Sequence, residues 1–395
     1  MTRGDKRRDT LLSHLGRDPE RFGGVVNTPV FRASTILSPD LEHWEDPKRH
    51  HRKGMAAYGR MGTPTTFALE ESVAVLEGAE GAVAVSSGLA AIAFSILPFI
   101  EAGDHILVAD SVYLPCRKFC DRQLRKLGVE TTYYDPLIGG ELRSLIRPNS
   151  KLVYLESPGS LTFEVQDVPA IAAVAKAAGL TVVTDNTWAT PVNFRPLEHG
   201  VDVSLHAATK YIVGHSDAML GVIAATAACE PLIRETVRGY GVCAGPDDLF
   251  LGLRGLRTLA VRLARHQETG LALAAWLAER PEVAGVMHPA LPGDAGHALW
   301  QRDFDGASGL FGLVLAQPWP REALAAMIDG LELFGLGASW GGFESLLIPT
   351  HPEKSRSATE WQAPGPSLRI HAGLEDPDDL IADLEAGFAR LHAAS

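Results

Sequence analysis

From residue 105 onward the chain alternates short, uninterrupted apolar runs with helix-like stretches. HILVAD (105–110), VETTYYD (129–135), KLVYLESPGS (151–160), LTVVTD (180–185) and VDVSLH (201–206) read as strands. CRKFCDRQLRKLG (116–128), closed by Gly128, and the alanine-rich stretch 169–178 read as helices between them. Apolar strands without alternation, separated by helices, predict a mostly parallel sheet covered on both faces. Ligands of such sheets sit beyond the carboxyl ends of the strands. Tyr113, Glu156, Ser157, Asp185, Asn186 and Lys210 fall at or shortly after such ends.

Upstream, Pro64 opens a run with Leu69, Val73 and Leu76 at helical spacing, with Thr63 placed as N-cap and Gly78 as the stop. Tyr58 and Arg60 stand just outside it. Residues 81–97, GAVAVSSGLAAIAFSIL, predict a strand over 82–85, a turn at Ser86, Ser87, Gly88 and Leu89, then an apolar helix. Free amides and the helix dipole make that turn an anion site.

After about residue 255 the texture changes. RGLRTLAVRLARHQETGLALAAWLAE (254–279) reads as one long amphipathic helix joining two domains. Short strands such as GLFGLVLA and SLRIHAGLED (367–376), mixed with two helices and a terminal one, predict a smaller α/β domain. The polar first 55 residues, broken by Pro29, Pro39 and Pro47, read as an extended arm laid against a partner subunit. The expected division is 1–57 arm, 58–255 large domain and 256–395 small C-terminal domain.

Composition narrows the class. A formal net charge of −12 argues against nucleic acid or an anionic membrane as main partner. No run of eighteen uncharged apolar residues occurs, and the charged start (Arg3, Asp5, Lys6, Arg7, Arg8, Asp9) leads into no secretory core, so a cytoplasmic protein is expected. Cys116, Cys120, Cys229 and Cys243 are too few and scattered for a disulfide framework. Cys116 and Cys120 would share a helix face but lack companions for a metal, and read as half-buried small side chains. His50 and His51, beside Arg52 and Lys53, read as a solvated basic loop.

An amide-rich turn (Ser87, Gly88, Leu89), an acid at a strand end (Asp185) and Lys210, 25 residues later, then converge on one cofactor. Pyridoxal 5'-phosphate needs a lysine for its Schiff base, an acid to keep its ring nitrogen protonated and a turn to hold its phosphate. No G-x-G-x-x-G turn and no P-loop accompanies the fold pattern, which argues against a nicotinamide dehydrogenase.

The segments YGRMGTPT, ESPGSLTFEVQDVPAI, DNTWATP, ATKYIVGHSDAMLG, LRGLRTLAVRL, HPALPG, SWGGFESL and RIHAGLEDPDDLIADLEAGF carry a further signal. Through them the chain resembles the fold-type-I enzymes of cysteine and methionine metabolism, and within these the cystathionine β-lyases, over nearly its whole length after the first twenty residues. The resemblance implies an aspartate aminotransferase-like α/β fold. It implies Lys210 as Schiff-base lysine, Asp185 as partner of the ring nitrogen and Tyr113 stacked on the ring. Gly88, Leu89 and Thr209 would hold the phosphate, helped by Tyr58 and Arg60 from the neighbouring subunit of a dimer of dimers. Arg369 would grip the substrate α-carboxylate, with Ser339 and Trp340 beside the substrate.

Departures within the superfamily bear on which bond is cut. The γ-acting relatives usually carry Glu-Ser-Leu-Gly-Gly where this chain has Ala338, Ser339, Trp340, Gly341 and Gly342, and a serine at the position of Ala207. Both features favour β-elimination from cystathionine, giving homocysteine, pyruvate and ammonia. Another cysteine S-conjugate or cystine β-lyase, or a γ-lyase or γ-synthase, is the alternative.

Overall fold

The computed structural model describes residues 6–46 and 57–395. The basic cluster His50, His51, Arg52 and Lys53, and the terminal Arg3 and Asp5, lie outside the described residues. Two sheets organise the rest. The larger contains β1 (Gly81–Val85), β2 (His105–Ala109), β3 (Glu130–Tyr134), β4 (Ser150–Glu156), β5 (Thr181–Asp185), β6 (Val203–His206) and β7 (Gly221–Ala225), in the order β1-β7-β6-β5-β4-β2-β3. The pairings from β6 through β5, β4 and β2 to β3 are all parallel. β7 pairs antiparallel with both β6 and β1, so β1 points the same way as β6 and only β7 is reversed. Six strands therefore deliver their carboxyl ends to one edge.

Every residue of β1, β2, β5 except its first, β6 and β7 is buried, the signature of a sheet covered on both faces. Helix Pro64–Glu77 begins where Thr63 donates its N–H to the Thr66 hydroxyl at 3.1 Å, and it ends at Gly78 with φ +69. The smaller sheet holds β8 (Val283–Met287), β9 (Leu310–Leu315), β10 (Leu346–Thr350) and β11 (Ser367–His371), all antiparallel, in the order β10-β11-β9-β8. The terminal helix Pro377–Ala393 packs Leu380, Leu384, Phe388 and Leu391 into that sheet's core.

Four details differ from the sequence reading. The stretch 254–279 is two helices, Pro246–Leu256 and Leu259–Ala278, because the Gly255 carbonyl accepts from Thr258 N–H at 3.1 Å and from Arg262 Nη2 at 2.9 Å. The N-terminal segment is not wholly extended. It forms helices Arg8–His14 and Leu41–Glu45, and Leu12 and Leu15 are buried in a core cluster with Leu69, Val73 and Leu253. The helix begun at Leu114 passes at Phe119 into a π-helical stretch, Phe119–Leu124. Cys116 and Cys120 on it are fully buried rather than half-buried.

Candidate active site

A cavity of about 750 Å³ opens at the carboxyl edge of the larger sheet, between it and β10 and β11. Ser87, Gly88, Leu89, Tyr113, Asp185, Thr209, Lys210, Trp340 and Arg369 all line it. β1 ends at Val85, and two residues later Ser87 caps helix Gly88–Ile96 by accepting from Ala90 N–H at 3.1 Å. The Gly88 and Leu89 amides open that helix. Gly88 is required here, since an added Cβ would lie 2.5 Å from the Cβ of Ala207.

Lys210 follows β6 on a short turn. Its Nζ donates to Ser339 Oγ at 2.7 Å and stands 5.4 Å from the Trp340 ring centroid. Burial, and then the Arg369 guanidinium, push its amine down to about 8, while Asp185 pulls the other way. Gly341 fits the wall beside it with φ +84, and its Cα hydrogens face the Lys210 backbone, where a Cβ would come within 3.0 Å. The His371 ring holds that turn by accepting the Gly341 N–H at 3.1 Å.

Asp185 closes β5 and is 8 % exposed. Its Oδ1 accepts from Thr187 N–H at 2.9 Å and from the Thr187 hydroxyl at 2.5 Å, and that hydroxyl in turn accepts the Ala207 N–H at 2.8 Å. Burial pushes the Asp185 carboxyl up, opposed by the two Thr187 hydrogen bonds, His206 and Lys210. In the adjacent strand its register partner Glu156 accepts the Tyr113 N–H at 2.7 Å. Burial, and then the neighbouring Asp185, drive Glu156 well above the ordinary carboxylate range. Burial thus raises both of these neighbouring carboxyls, Glu156 well above the ordinary range, while the Thr187 hydrogen bonds, His206 and Lys210 oppose the rise at Asp185.

Arg369, on β11, is 8 % exposed and donates through Nη2 to the Ser339 carbonyl at 2.9 Å. Burial lowers it to about 10, so it remains a cation at neutral pH. Thr209 lines the cavity with its hydroxyl bonded to backbone, whereas Tyr58 and Arg60 lie elsewhere. Thr209 Oγ1 donates to the Leu220 carbonyl at 3.1 Å and accepts the Leu220 N–H at 2.8 Å. Tyr58 and Arg60 line a separate cavity of about 410 Å³ with Arg238 and Cys243, and Arg60 Nη1 donates to the Arg238 carbonyl at 2.7 Å. Within one chain they do not meet Lys210.

The family model described as Cys/Met metabolism PLP-dependent enzyme matches residues 9–389. The chain belongs to this family. It is 50% identical over 388 residues to a putative cystathionine beta-lyase of Rhizobium johnstonii, covering 98% of this chain and 96% of that one. It is 47% identical over 392 residues to cystathionine beta-lyase MetC of Escherichia coli, covering 98% and 99%. The crystal structure of cystathionine gamma synthase from Xanthomonas oryzae pv. oryzae, in complex with aminoacrylate and cysteine, superposes with a TM-score of 0.90 at 30% identity, covering 99% of this chain and 100% of that one.

The cofactor of this family is pyridoxal phosphate, and the cavity's donor set fits it. An amine lowered by burial, a buried carboxylate with Thr187 donors on one oxygen, and a helix start kept open by Gly88 face a common space. Among the described residues no helix is long and apolar enough to cross a membrane, and no group of three or more His, Cys, Asp or Glu is arranged to hold a metal ion.

Sequence reasoning misses Thr187, Glu156 as the carboxyl beneath Tyr113, and His371. Thr187 had a local signal. An aspartate that accepts from the amide two residues on is an Asx turn, and Asp185-Asn186-Thr187 has that form. His371 had none, because its contact with Gly341 spans 30 residues.

Proposed function

We propose that the chain is a cystathionine β-lyase, cleaving the Cβ–S bond of cystathionine to give homocysteine, pyruvate and ammonia in methionine biosynthesis. The observation that carries this reading is the wall around the Lys210 amine: Ser339 at 2.7 Å and the Trp340 ring at 5.4 Å, with Ala338 where γ-acting relatives usually carry a glutamate. An apolar, narrow wall suits a thioether. The names carried by the relatives at 47% and 50% identity support it.

In this reading Lys210 is the covalent anchor of the cofactor. Gly88, Leu89, Ser87 and Thr209 would hold its phosphate, Tyr113 would lie against its ring and Asp185 would serve the ring nitrogen. Once bound, pyridoxal phosphate supplies an electron sink for the pair released at Cα. Arg369 grips the α-carboxylate in a planar, two-pronged contact that fixes the Cα–H bond toward Lys210. Lys210 Nζ, lowered to about 8 by burial, would accept the Cα proton once its amine is free. The same ammonium then gives that proton to the departing sulfur as the Cβ–S bond breaks, and water completes the products.

Tyr58 and Arg60 line a surface cavity away from Lys210 of their own chain. This supports their service in a neighbour's site, with a homodimer as the minimum active unit and a dimer of dimers as the assembly. Four free cysteines, three of them buried, suit the reducing cytoplasm.

The test is product analysis with cystathionine, cystine and other cysteine thioethers. Pyruvate with homocysteine from cystathionine is expected. Release of 2-oxobutyrate in place of pyruvate would sink the reading in favour of a γ-lyase, and turnover of cystine or another S-conjugate in preference to cystathionine would move the substrate assignment to those.

A further inference from the structure

Behind Asp185, on the side away from the cavity, lies a buried polar cluster that the proposed chemistry does not use. Glu77, the last residue of helix Pro64–Glu77, and His206, the last residue of β6, meet with Oε1 and Nε2 at 2.5 Å, and their side chains are 0% and 1% exposed. Glu77 Oε1 also accepts from Asn186 Nδ2 at 3.1 Å and Ser204 Oγ at 3.1 Å. The Asn186 amide is oriented by its second bond, from Nδ2 to the Phe194 carbonyl at 3.0 Å, so Nδ2 is the donor to Glu77. With a fixed donor and a hydroxyl on it, Oε1 is an acceptor, and the imidazole nitrogen facing it is then a donor. Glu77 Oε2 and His206 Nδ1 are buried with no hydrogen-bond partner among the described residues.

Charge balance carries the next step. A fully buried carboxylate is costly unless a cation pairs with it. Among the described residues that hydrogen-bond Glu77, His206 is the one that can become cationic. The position opposite His206 on β7 is Val222, which is apolar; Lys210, Asp185 and Glu156 stand at the same edge of the sheet, and the Arg195 guanidinium lies against Gly78, next to Glu77.

The cluster is joined to Asp185 by backbone. Asp185 is in register with Leu205, and Asn186 N–H donates to the Leu205 carbonyl at 2.9 Å. Ala207, next after His206, donates to the Thr187 hydroxyl that holds Asp185. A protonated His206 also favours ionisation of the Asp185 carboxyl.

We propose that Glu77 and His206 form a buried ion pair that serves as a positioning unit for Asp185, keeping its carboxylate ionised and aimed at the cofactor ring. Glu77 holds the proton on His206, and the imidazolium supplies a fixed positive charge behind Asp185. This inference rests on Asp185 being the acid that faces the ring nitrogen.

The test combines a variant series with direct location of protons. In Glu77→Gln holoenzyme the shape is kept and the charge removed. We expect kcat on cystathionine to fall by about tenfold, the effect of one pKa unit at Asp185, with KM changed less than twofold. We also expect weaker retention of pyridoxal phosphate, measured as its rate of loss on dialysis, and a changed absorbance of the bound cofactor. His206→Gln should give the same losses, and the double variant no more than either alone, since both remove one unit. A lowered Tm with kcat, cofactor loss and absorbance all unchanged would overturn the proposal and leave the pair a structural element. Neutron diffraction of the unmodified protein needs no variant to fold: both ring nitrogens of His206 should carry a proton, and a singly protonated ring would refute the ion pair. Asp185→Asn separates the two layers. If that variant keeps full activity and cofactor binding, the Asp185 assignment itself fails, whatever Glu77→Gln does.

Discussion

Lys210 Nζ and Ser339 Oγ lie 2.7 Å apart although 129 positions separate them in the chain. One belongs to the turn after β6 of the larger sheet and the other to the segment preceding β10 of the smaller one. The contact joins the two sheets at the point where the reactive amine is held. Replacing Lys210 with Ala removes the residue proposed as both covalent anchor and base. Activity should drop by about a thousandfold or more. Borohydride treatment, which fixes pyridoxal phosphate to a lysine anchor, should no longer label the protein.

The lowered amine also gives a pH prediction. Free Lys210 is a nucleophile only when neutral, and its midpoint is about 8. In cofactor-free protein the rate of pyridoxal phosphate capture should therefore rise as pH increases through about 8 and level off above it. Arg369→Met removes a cation that helps hold the amine down, so the rise should move to higher pH. A rate that is flat between pH 7 and 9 in the unmodified protein would contradict the assigned environment.

Arg369→Lys keeps the charge and loses the planar fork. A point charge cannot make two parallel bonds to a carboxylate while also supporting the Ser339 carbonyl, which Arg369 holds at 2.9 Å. The loss of one charged hydrogen bond costs about 1.5–3 kcal/mol, or roughly 10- to 100-fold in kcat/KM. Most of it should appear in KM for cystathionine. Steady-state kinetics on the purified variant measures the split.

Gly88→Ala tests the cradle at the start of helix Gly88–Ile96. The new methyl would lie 2.5 Å from the Ala207 Cβ, so the helix start and the turn before Lys210 must move apart. Overpacking of this kind costs about 1–3 kcal/mol. The displaced amides should also raise the dissociation constant for pyridoxal phosphate, read by fluorescence titration of cofactor-free protein.

Much of this site is legible in the sequence because its parts sit at strand ends. A buried parallel strand is a short apolar run, and polar residues at or shortly after its end reach the carboxyl edge: Asp185, the last residue of β5, and Lys210, four residues after β6, stand out in this way. The reversed strand β7 does not stand out, since its GVIAA is as apolar as its neighbours and brings no polar group to the cavity. Pairing direction depends on the path of the connecting chain, which composition does not encode. Glu77 and His206 are 129 residues apart, and each alone reads as a helix-end acid or a core histidine. The placement of Trp340 and Ser339 against Lys210 enters through family resemblance, because no local period marks a loop that crosses from one sheet to another.

The last prediction concerns how the mouth of the cavity is held. Asp110, just after β2, has a fully buried side chain, and it accepts the N–H groups of Ser357 at 3.0 Å, Ala358 at 3.0 Å and Thr359 at 2.8 Å, with Arg117 as its ion-pair partner. Residues 348–352 and 354–356, which lead into that turn, line the cavity opposite Tyr113. Burial pushes the Asp110 carboxyl up, but the amides of Ser357 and Thr359, the Thr359 hydroxyl and Arg117 outweigh it, and its pKa lies below the ordinary value. Asp110→Ala leaves Arg117, whose side chain is 9% exposed, without its counter-charge and three amides without an acceptor. Breaking a buried pair in this way costs about 3–5 kcal/mol. The sign with pH follows from the lowered value. Asp110 contributes fully above the unfolded carboxylate pKa of about 3.9 and loses its contribution as pH falls through the lower folded value. The Tm gap between unmodified protein and Asp110→Ala should therefore be widest at neutral pH and narrow in acid below about pH 4. KM for cystathionine should rise in the variant at neutral pH, because the segment from Thr350 to Arg356 loses the anchor that fixes it over the cavity.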